Sequence, residues 1–310
     1  MTAINGFVAA VNNVLYQPYI VPLLLVVAGI YFTIRTKGMQ VRLFGEMFRV
    51  IKEKPKTDNG VSSFGALMVS TASRVGTGNI IGVSTAICTG GPGAIFWMWI
   101  TAILGGASAF IESTLAQIYK KKDVDGTSYG GPSFYMRDAL GQRWLGVIFA
   151  ILIIFTYAVG YNMLAAYNLQ STFQAFSFYN DKTPYIIGAI LAILFGAIVI
   201  GGANRPIKVT EDLVPLMGVI YIAVSIIVLI INAKYIGTMF ANIFASAFDF
   251  KSIFGGFAGS CIMWGIKRGL YSNEAGMGSA PNAAARADVS HPAKQGLVQT
   301  LSVFIDTMLI

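Results

Sequence analysis

Charge is what this sequence has least of. Only 12% of its 310 residues are Asp, Glu, Lys or Arg, against about 25% in a soluble domain. Hydrophobic residues make up 55%, and mean hydropathy is +0.66. That balance excludes a soluble globular domain and indicates a polytopic membrane protein. Cysteine and histidine are nearly absent. Cys88 and Cys261 lie in or beside apolar runs, so there is no disulfide framework. One histidine, His291, leaves no zinc or haem constellation. A membrane-embedded enzyme would need a catalytic pair or metal cluster at membrane depth, and the spacing of polar residues offers none. Residues 1–14 lack a basic n-region and a small-residue cleavage site, so the first apolar run reads as a retained helix. The net charge of +8 would suit nucleic acid. The basic residues, however, gather in short loops between apolar runs, which is a topology signal instead.

The first apolar run, Tyr19 to Thr33, extends back toward Val14, because about 20 residues are needed to span a bilayer. Seven cations follow between Arg35 and Lys56. They place that stretch in the cytoplasm and the N-terminus outside, in a multi-pass protein of the cell membrane. Leu43 to Ile51 reads as an amphipathic interfacial helix, with Leu43, Met47, Val50 and Ile51 on one side. Further spans are expected at residues 61–88, 94–118, 144–173, 185–200 and 213–231, then from Gly256 and from Leu297. An outer connection is expected over 232–255. The inner loops hold seven, five, two and two cations, the outer loops one and two. The last apolar run is still unfinished at Ile310, and the reading expects a partial protein, short at its C-terminus.

Two spans are unusual. Ala72-Ser73-Arg74-Val75-Gly76-Thr77-Gly78-Asn79-Ile80-Ile81-Gly82 puts polar residues and glycines at mid-depth. Each glycine costs about 1 kcal/mol of helix stability relative to Ala. Irregular backbone survives in lipid only where protein or a water-filled cavity covers it. A broken helix offering its freed N–H and C=O groups to a ligand fits, as in secondary transporters. A glycine-rich helix packed closely on a neighbour fits too. Gly265 to Pro281 repeats the pattern, with Ser272, Asn273, Glu274, Gly276 and Gly278. The first odd span opens a set of five and the second opens the next set, running the opposite way.

The run Gly90-Gly91-Pro92-Gly93-Ala94-Ile95-Phe96-Trp97-Met98-Trp99-Ile100-Thr101-Ala102-Ile103-Leu104-Gly105 resembles the signature of the alanine or glycine:cation symporter family. Gly76-Thr77-Gly78-Asn79-Ile80 and Ser272-Asn273-Glu274-Ala275-Gly276 resemble its other motifs, in the same order. The resemblance implies an all-α polytopic membrane protein of the leucine-transporter type, an inverted-repeat fold with one extra N-terminal helix and an incomplete second repeat. Residues 1–60 would form the extra transmembrane helix and a cytoplasmic amphipathic linker. Residues 61–232 would form the first five-helix repeat, and 256–310 the start of the second. The implied activity is sodium-coupled symport of a small neutral amino acid, alanine or glycine, with Na+ as the coupling ion and no other cofactor. A proton-coupled or other amino-acid transporter of the same fold, or a non-transporting fragment, are the alternatives.

Site residues follow from that resemblance. The substrate carboxylate suits the N-terminus of the outer half-helix, at Gly76, Thr77, Gly78 and Asn79. Sodium, a hard cation, takes oxygens, and the candidates are Ala72 and Val75 by their carbonyls and Asn79 by its side chain. Asn79 as the cap of a packed break is the competing role. Ser272 and Asn273 suit caps for the half-helix that follows them, while Gly276 and Met277, with Gly278, would face the pocket. Asn162 and Gln170, eight apart on one face, would bear on the substrate amine or hydrogen-bond between helices. Among charges within spans, Glu274 is expected to pair with Arg268 or Arg74.

Overall fold

The computed structural model describes residues 2–15, 20–55, 60–76, 78–124, 126–200, 202, 204–249, 256 and 260–310. Helices dominate. They are α1 (Thr2–Leu15), α2 (Ile20–Arg35), α3 (Met39–Arg42), α4 (Phe44–Ile51), α5 (Ser63–Arg74), α6 (Val83–Gly90) and α7 (Gly93–Ile118). A two-strand hairpin follows, β1 (Lys121–Lys122) against β2 (Ser128–Tyr129), antiparallel with Lys121 opposite Tyr129. Then come α8 (Pro132–Asp138), α9 (Arg143–Ile154), α10 (Asn162–Ser171), α11 (Thr183–Val199), α12 (Asn204–Ile231) and α13 (Ile236–Ala247). The described chain closes with α14 (Cys261–Asn273), α15 (Ala280–Arg286) and α16 (Pro292–Phe304). Short π-helical turns lie at Gly78–Gly82, Phe155–Tyr161 and Ile305–Leu309.

Three of these helical stretches are long and apolar enough to cross a bilayer, Gly93–Ile118, Arg143–Ala175 and Arg205–Ile231, or four if Asn5–Leu15 and Ile20–Arg35 count as one bent span. The chain is an all-α, multi-pass membrane protein apart from its small hairpin. Exposure sorts the spans. Half of the apolar window of α7 is buried, whereas none of that of α12 is. Helix α7 is therefore the central post and α12 an outer one.

The packing on α7 is close because glycines permit it. A Cβ on Gly265 would lie 2.5 Å from the Ala94 carbonyl oxygen, and one on Gly296 would lie 2.8 Å from that of Phe110. Helices α14 and α16 thus press their backbones onto α7. Side chains seal the rest of the core, with Leu67, Val298, Leu301 and Phe304 buried together. Local chemistry sets the helix starts: Ser62 Oγ accepts from the Gly65 N–H at 2.9 Å, and Ser260 Oγ from that of Met263 at 3.4 Å. Between α6 and α7 the chain turns at Gly91, whose φ of 85° favours glycine, followed by Pro92.

Several boundaries differ from the sequence expectation. The amphipathic stretch is helical, but its apolar face meets protein rather than the bilayer surface. Met47 and Val50 are fully buried in the core, and Phe44 lies 6.0 Å from the ring of Phe304. Lys294 on α16 clamps Glu53 at 2.6 Å. A helix face of this kind suits a protein groove as well as a lipid headgroup layer. Arg205 and Lys208 stand inside α12 rather than in a loop before it, and the connection after Ile231 carries α13. The seventh span's expected start at Gly256 runs into residues outside the described set, and its described helix begins at Cys261.

Candidate functional site

Both odd spans are broken. Helix α5 stops at Arg74, Val75 leaves helical geometry with ψ 112°, and the chain resumes as a π-turn at Gly78. Helix α14 stops at Asn273. Glu274 then takes a left-handed conformation with φ 50°, and Gly276 and Gly278 each have φ 83° before α15 begins. The helix therefore ends at Glu274 itself, and the two glycines take the left-handed turns of the break, where glycine is favoured.

The two broken helices lie side by side and antiparallel. A Cβ on Gly78 would sit 3.4 Å from Tyr271 Cε1, one on Gly82 would sit 3.6 Å from Arg268 Nη1, and one on Gly90 would sit 2.7 Å from Trp264 Cβ. Positions rise along one segment as they fall along the other. On the far side of the breaks Ser73 touches Glu274, while Val61 pairs with Ala287. The breaks are consequently level with each other.

Buried polar groups collect at that level. Asn79 binds in three directions: its Oδ1 accepts the Gly76 N–H at 3.0 Å, and its Nδ2 donates to Asp306 Oδ1 at 2.8 Å and to Ser272 Oγ at 3.2 Å. Asp306, on the π-turn after α16, also accepts from Ser272 Oγ and Thr307 Oγ1, each at 2.8 Å. Its carboxyl is 1% exposed and has no cation within salt-bridge distance among the described residues. Glu112, from α7, accepts the Gly276 and Gly278 N–H groups at 3.2 and 3.1 Å. Arg74 is buried in the same region. It reaches only the Gln299 carbonyl, at 3.5 Å, and its Nε and Nη2 find no hydrogen-bond partner among the described residues. Asn273 Nδ2 and the Gln299 side-chain amide are equally unpartnered there. Buried polar atoms are ordinarily satisfied by protein, water or a ligand. A cluster of orphans beside an oxygen-rich carboxylate has the chemistry for small polar or ionic species.

The structure brings some of the expected residues together and leaves others apart. Gly76, Gly78 and Asn79 line the first break; Thr77 lies outside the described residues. Ala72 stands in the last turn of α5 and Val75 at its C-cap, where carbonyls lose their helical partners. Ser272 and Asn273 occupy the last turn of α14 rather than capping α15, and Asn273 Oδ1 accepts from the Ala275 N–H at 3.0 Å. The N–H groups of Gly276 and Gly278 are taken by Glu112, and Met277 is half-buried. Asn162 is exposed and donates to the Ala158 carbonyl of its own turn, while Gln170 accepts from Tyr179 OH at 2.7 Å. Neither contacts a break. The expected Glu274 ion pair is replaced: Ser73, Tyr157 and Ser279 hydroxyls donate to its Oε2 at 3.1, 2.8 and 2.7 Å. Arg268 instead stacks over Trp264 at 5.5 Å. Asp306 and Glu112, outside the expected set, also stand at the breaks. Their signal was a carboxylate inside an apolar run, which demands a partner.

The family model described as the sodium:alanine symporter family matches residues 1–310. The chain is 47% identical over 287 residues to the amino-acid carrier protein AlsT of Bacillus subtilis, covering 93% of this chain and 61% of that protein. It is 46% identical over 309 residues to the "Probable sodium/glutamine symporter GlnT" of the same organism, covering 99% and 64%. It is 40% identical over 311 residues to the sodium/alanine symporter AgcS of Methanococcus maripaludis, covering 98% and 68%. The chain therefore spans roughly three-fifths to two-thirds of the length of these relatives. All are named as carriers or symporters, not as enzymes.

Proposed function

This chain belongs to the sodium:alanine symporter family, and we propose that it carries the core of a sodium-coupled symporter for a small neutral amino acid, alanine or glycine. The observation that carries the reading is the meeting of three segments at the breaks, where Asn79, Ser272 and Asp306 hydrogen-bond to one another. A hard monovalent cation wants such an oxygen set. Sodium would sit between the Asp306 carboxylate, the Ser272 hydroxyl and the freed carbonyls near Ala72 and Val75, with Asn79 turning its amide oxygen toward the ion. The substrate carboxylate would dock on N–H groups of the first break, from Gly76 through Thr77 and Gly78 to Asn79, at the positive end of the resumed helix. Ser272, Asn273, Gly276 and Met277 would form the facing wall, and Asn162 and Gln170 would lie at its periphery.

The level, antiparallel breaks support an inverted-repeat fold of the leucine-transporter type, with residues 61–232 as the first repeat and a second starting near 256. Alternating access would then move one set of half-helices against the other about this fixed level. The loop cations support a cytoplasmic stretch between α2 and α5 and an N-terminus outside the cell.

Binding of radiolabelled alanine in sodium against choline tests the reading. Sodium-dependent binding that Asn79→Ala abolishes is the expected result; equal binding in both salts would overturn it. A second reading, a larger neutral amino acid such as glutamine, is favoured by the likeness to GlnT. Excess unlabelled glutamine displacing the alanine would select it.

A further inference from the structure

We propose that Glu274 is a positioning residue, a clasp that ties the two broken helices to the stretch Arg143–Ala175, the fourth span of the sequence reading, and closes the route from the breaks to a neighbouring cavity. The proposal rests on the transporter reading. Three hydroxyls from three segments meet on a single carboxylate oxygen: Ser73 at the end of α5, Tyr157 on the π-turn after α9, and Ser279 just before α15. Glu274 itself is 3% exposed. It also holds a left-handed conformation, φ 50°, at a helix end where glycine is the ordinary occupant. A side chain kept at such a position against its backbone preference has a task there, and the three bonds identify it.

The geometry gives the clasp its function. Ser73, Tyr157 and Ser279 all line a cavity of about 480 Å3 that continues along α5 and α15 past Ser70, Ala283 and Arg286. That volume is within the usual range for small-molecule sites. The cavity lies on the side of the breaks where Val61 meets Ala287. A solute leaving the breaks toward that side would pass between α5, α15 and the fourth span, whose residues line the cavity and which are the three arms that Glu274 holds. Each arm is one hydroxyl-to-carboxylate bond, so the clasp can open arm by arm. Glu112 anchors the same break to α7 through backbone N–H groups, and Leu67 and Thr71 hold α5 against α16, so the fourth span, joined through Tyr157, is the arm the clasp releases.

A reversible cross-link tests this. Ser73 Oγ and Ser279 Oγ lie 3.1 and 2.7 Å from the same oxygen, so cysteines at these positions face one another across the Glu274 carboxylate. The Ser73→Cys/Ser279→Cys variant, made with Cys88→Ser, is reconstituted in proteoliposomes and oxidised. Alanine binding is expected to stay within about twofold, while sodium-driven uptake falls at least tenfold and returns on reduction, with neither single-cysteine variant responding. Failure of the pair to cross-link, or undiminished uptake once linked, overturns the clasp. Tyr157→Phe, which removes one arm and little volume, supplies the second measurement. It should change maximal uptake about threefold or more with alanine affinity unchanged; an unchanged maximal rate overturns the proposal even if the double variant fails to fold. No sodium-dependent uptake by the unmodified protein would remove the transporter reading and the clasp with it, whereas normal uptake after cross-linking would remove the clasp alone.

Discussion

Replacing Glu112 by Gln should loosen the second break from the central helix. The carboxylate divides its acceptance, Oε1 from the Gly276 N–H at 3.2 Å and Oε2 from the Gly278 N–H at 3.1 Å. Two N–H donors, one on each oxygen, are what an ionised carboxylate satisfies and an amide cannot. Gln keeps one carbonyl oxygen and turns its NH2 group toward the other N–H. A bond to a charged group is lost, about 1.5–3 kcal/mol, and a buried N–H is orphaned, a further 1–3 kcal/mol or so. Burial is nearly complete at Glu112, so solvent does little to screen the loss. The expected sum is about 2.5–6 kcal/mol, which lowers a melting midpoint by roughly 5–20 °C on the scaling for domains of a couple of hundred residues. Thermal unfolding in detergent, followed by thiol labelling of buried Cys261, reads it out. Glu112→Asp, which keeps the charge on a shorter arm, should fall between. A Glu112→Gln midpoint within about 2 °C of the unmodified protein would refute the reasoning, since even one such bond is worth more than that.

Other outcomes follow from the same contacts. Gly265→Ala should separate α14 from α7, because its Cβ would meet the Ala94 carbonyl oxygen at 2.5 Å. Overpacking of that kind costs about 1–3 kcal/mol, read as a lower melting midpoint. Asp306→Asn should weaken apparent sodium affinity at least tenfold in alanine-binding titrations while leaving the helical circular-dichroism signal intact. At the surface, Arg137 and then Lys121 hold the Asp138 carboxyl well below the ordinary aspartate range. Any stability that this pairing adds is present above about pH 4 and fades only as pH falls through the lower folded value. Asp138→Asn should accordingly leave the melting midpoint between pH 5 and 8 parallel to that of the unmodified protein.

The breaks are legible in the sequence because glycines and polar residues at mid-depth of a spanning segment are costly unless the helix is interrupted there. Gly76, Gly276 and Gly278 fall inside the breaks, just past the helix ends at Arg74 and Asn273. The roles of Asp306 and Glu112 are not legible, since each depends on which helix comes alongside. A run that is apolar all round does not say which face meets the bundle. The same ambiguity affects Asn162 and Gln170. Their spacing of eight suits one face of a regular helix, but the π-turn at Phe155–Tyr161 shifts the register just before it, and Gln170 finds Tyr179 instead. Helix α4 is amphipathic as its sequence indicates, yet its partner is α16 rather than lipid, because the pattern does not identify the apolar surface it faces. A carboxylate such as Glu274 in a spanning segment points to a cation. Three hydroxyls satisfy it, a solution that leaves no charge pattern in the sequence.

The central claim is that Asn79 and Ser272, from opposite broken helices, serve one cation site with Asp306. Sodium titrations of alanine binding in Asn79→Ala, Ser272→Ala and the double variant test it most directly. A shared site predicts strong coupling, with the double variant falling short of the sum of the single effects by at least about 0.5 kcal/mol. Strictly additive losses, or sodium dependence surviving Asn79→Ala, would contradict the account and leave the two residues as separate helix caps.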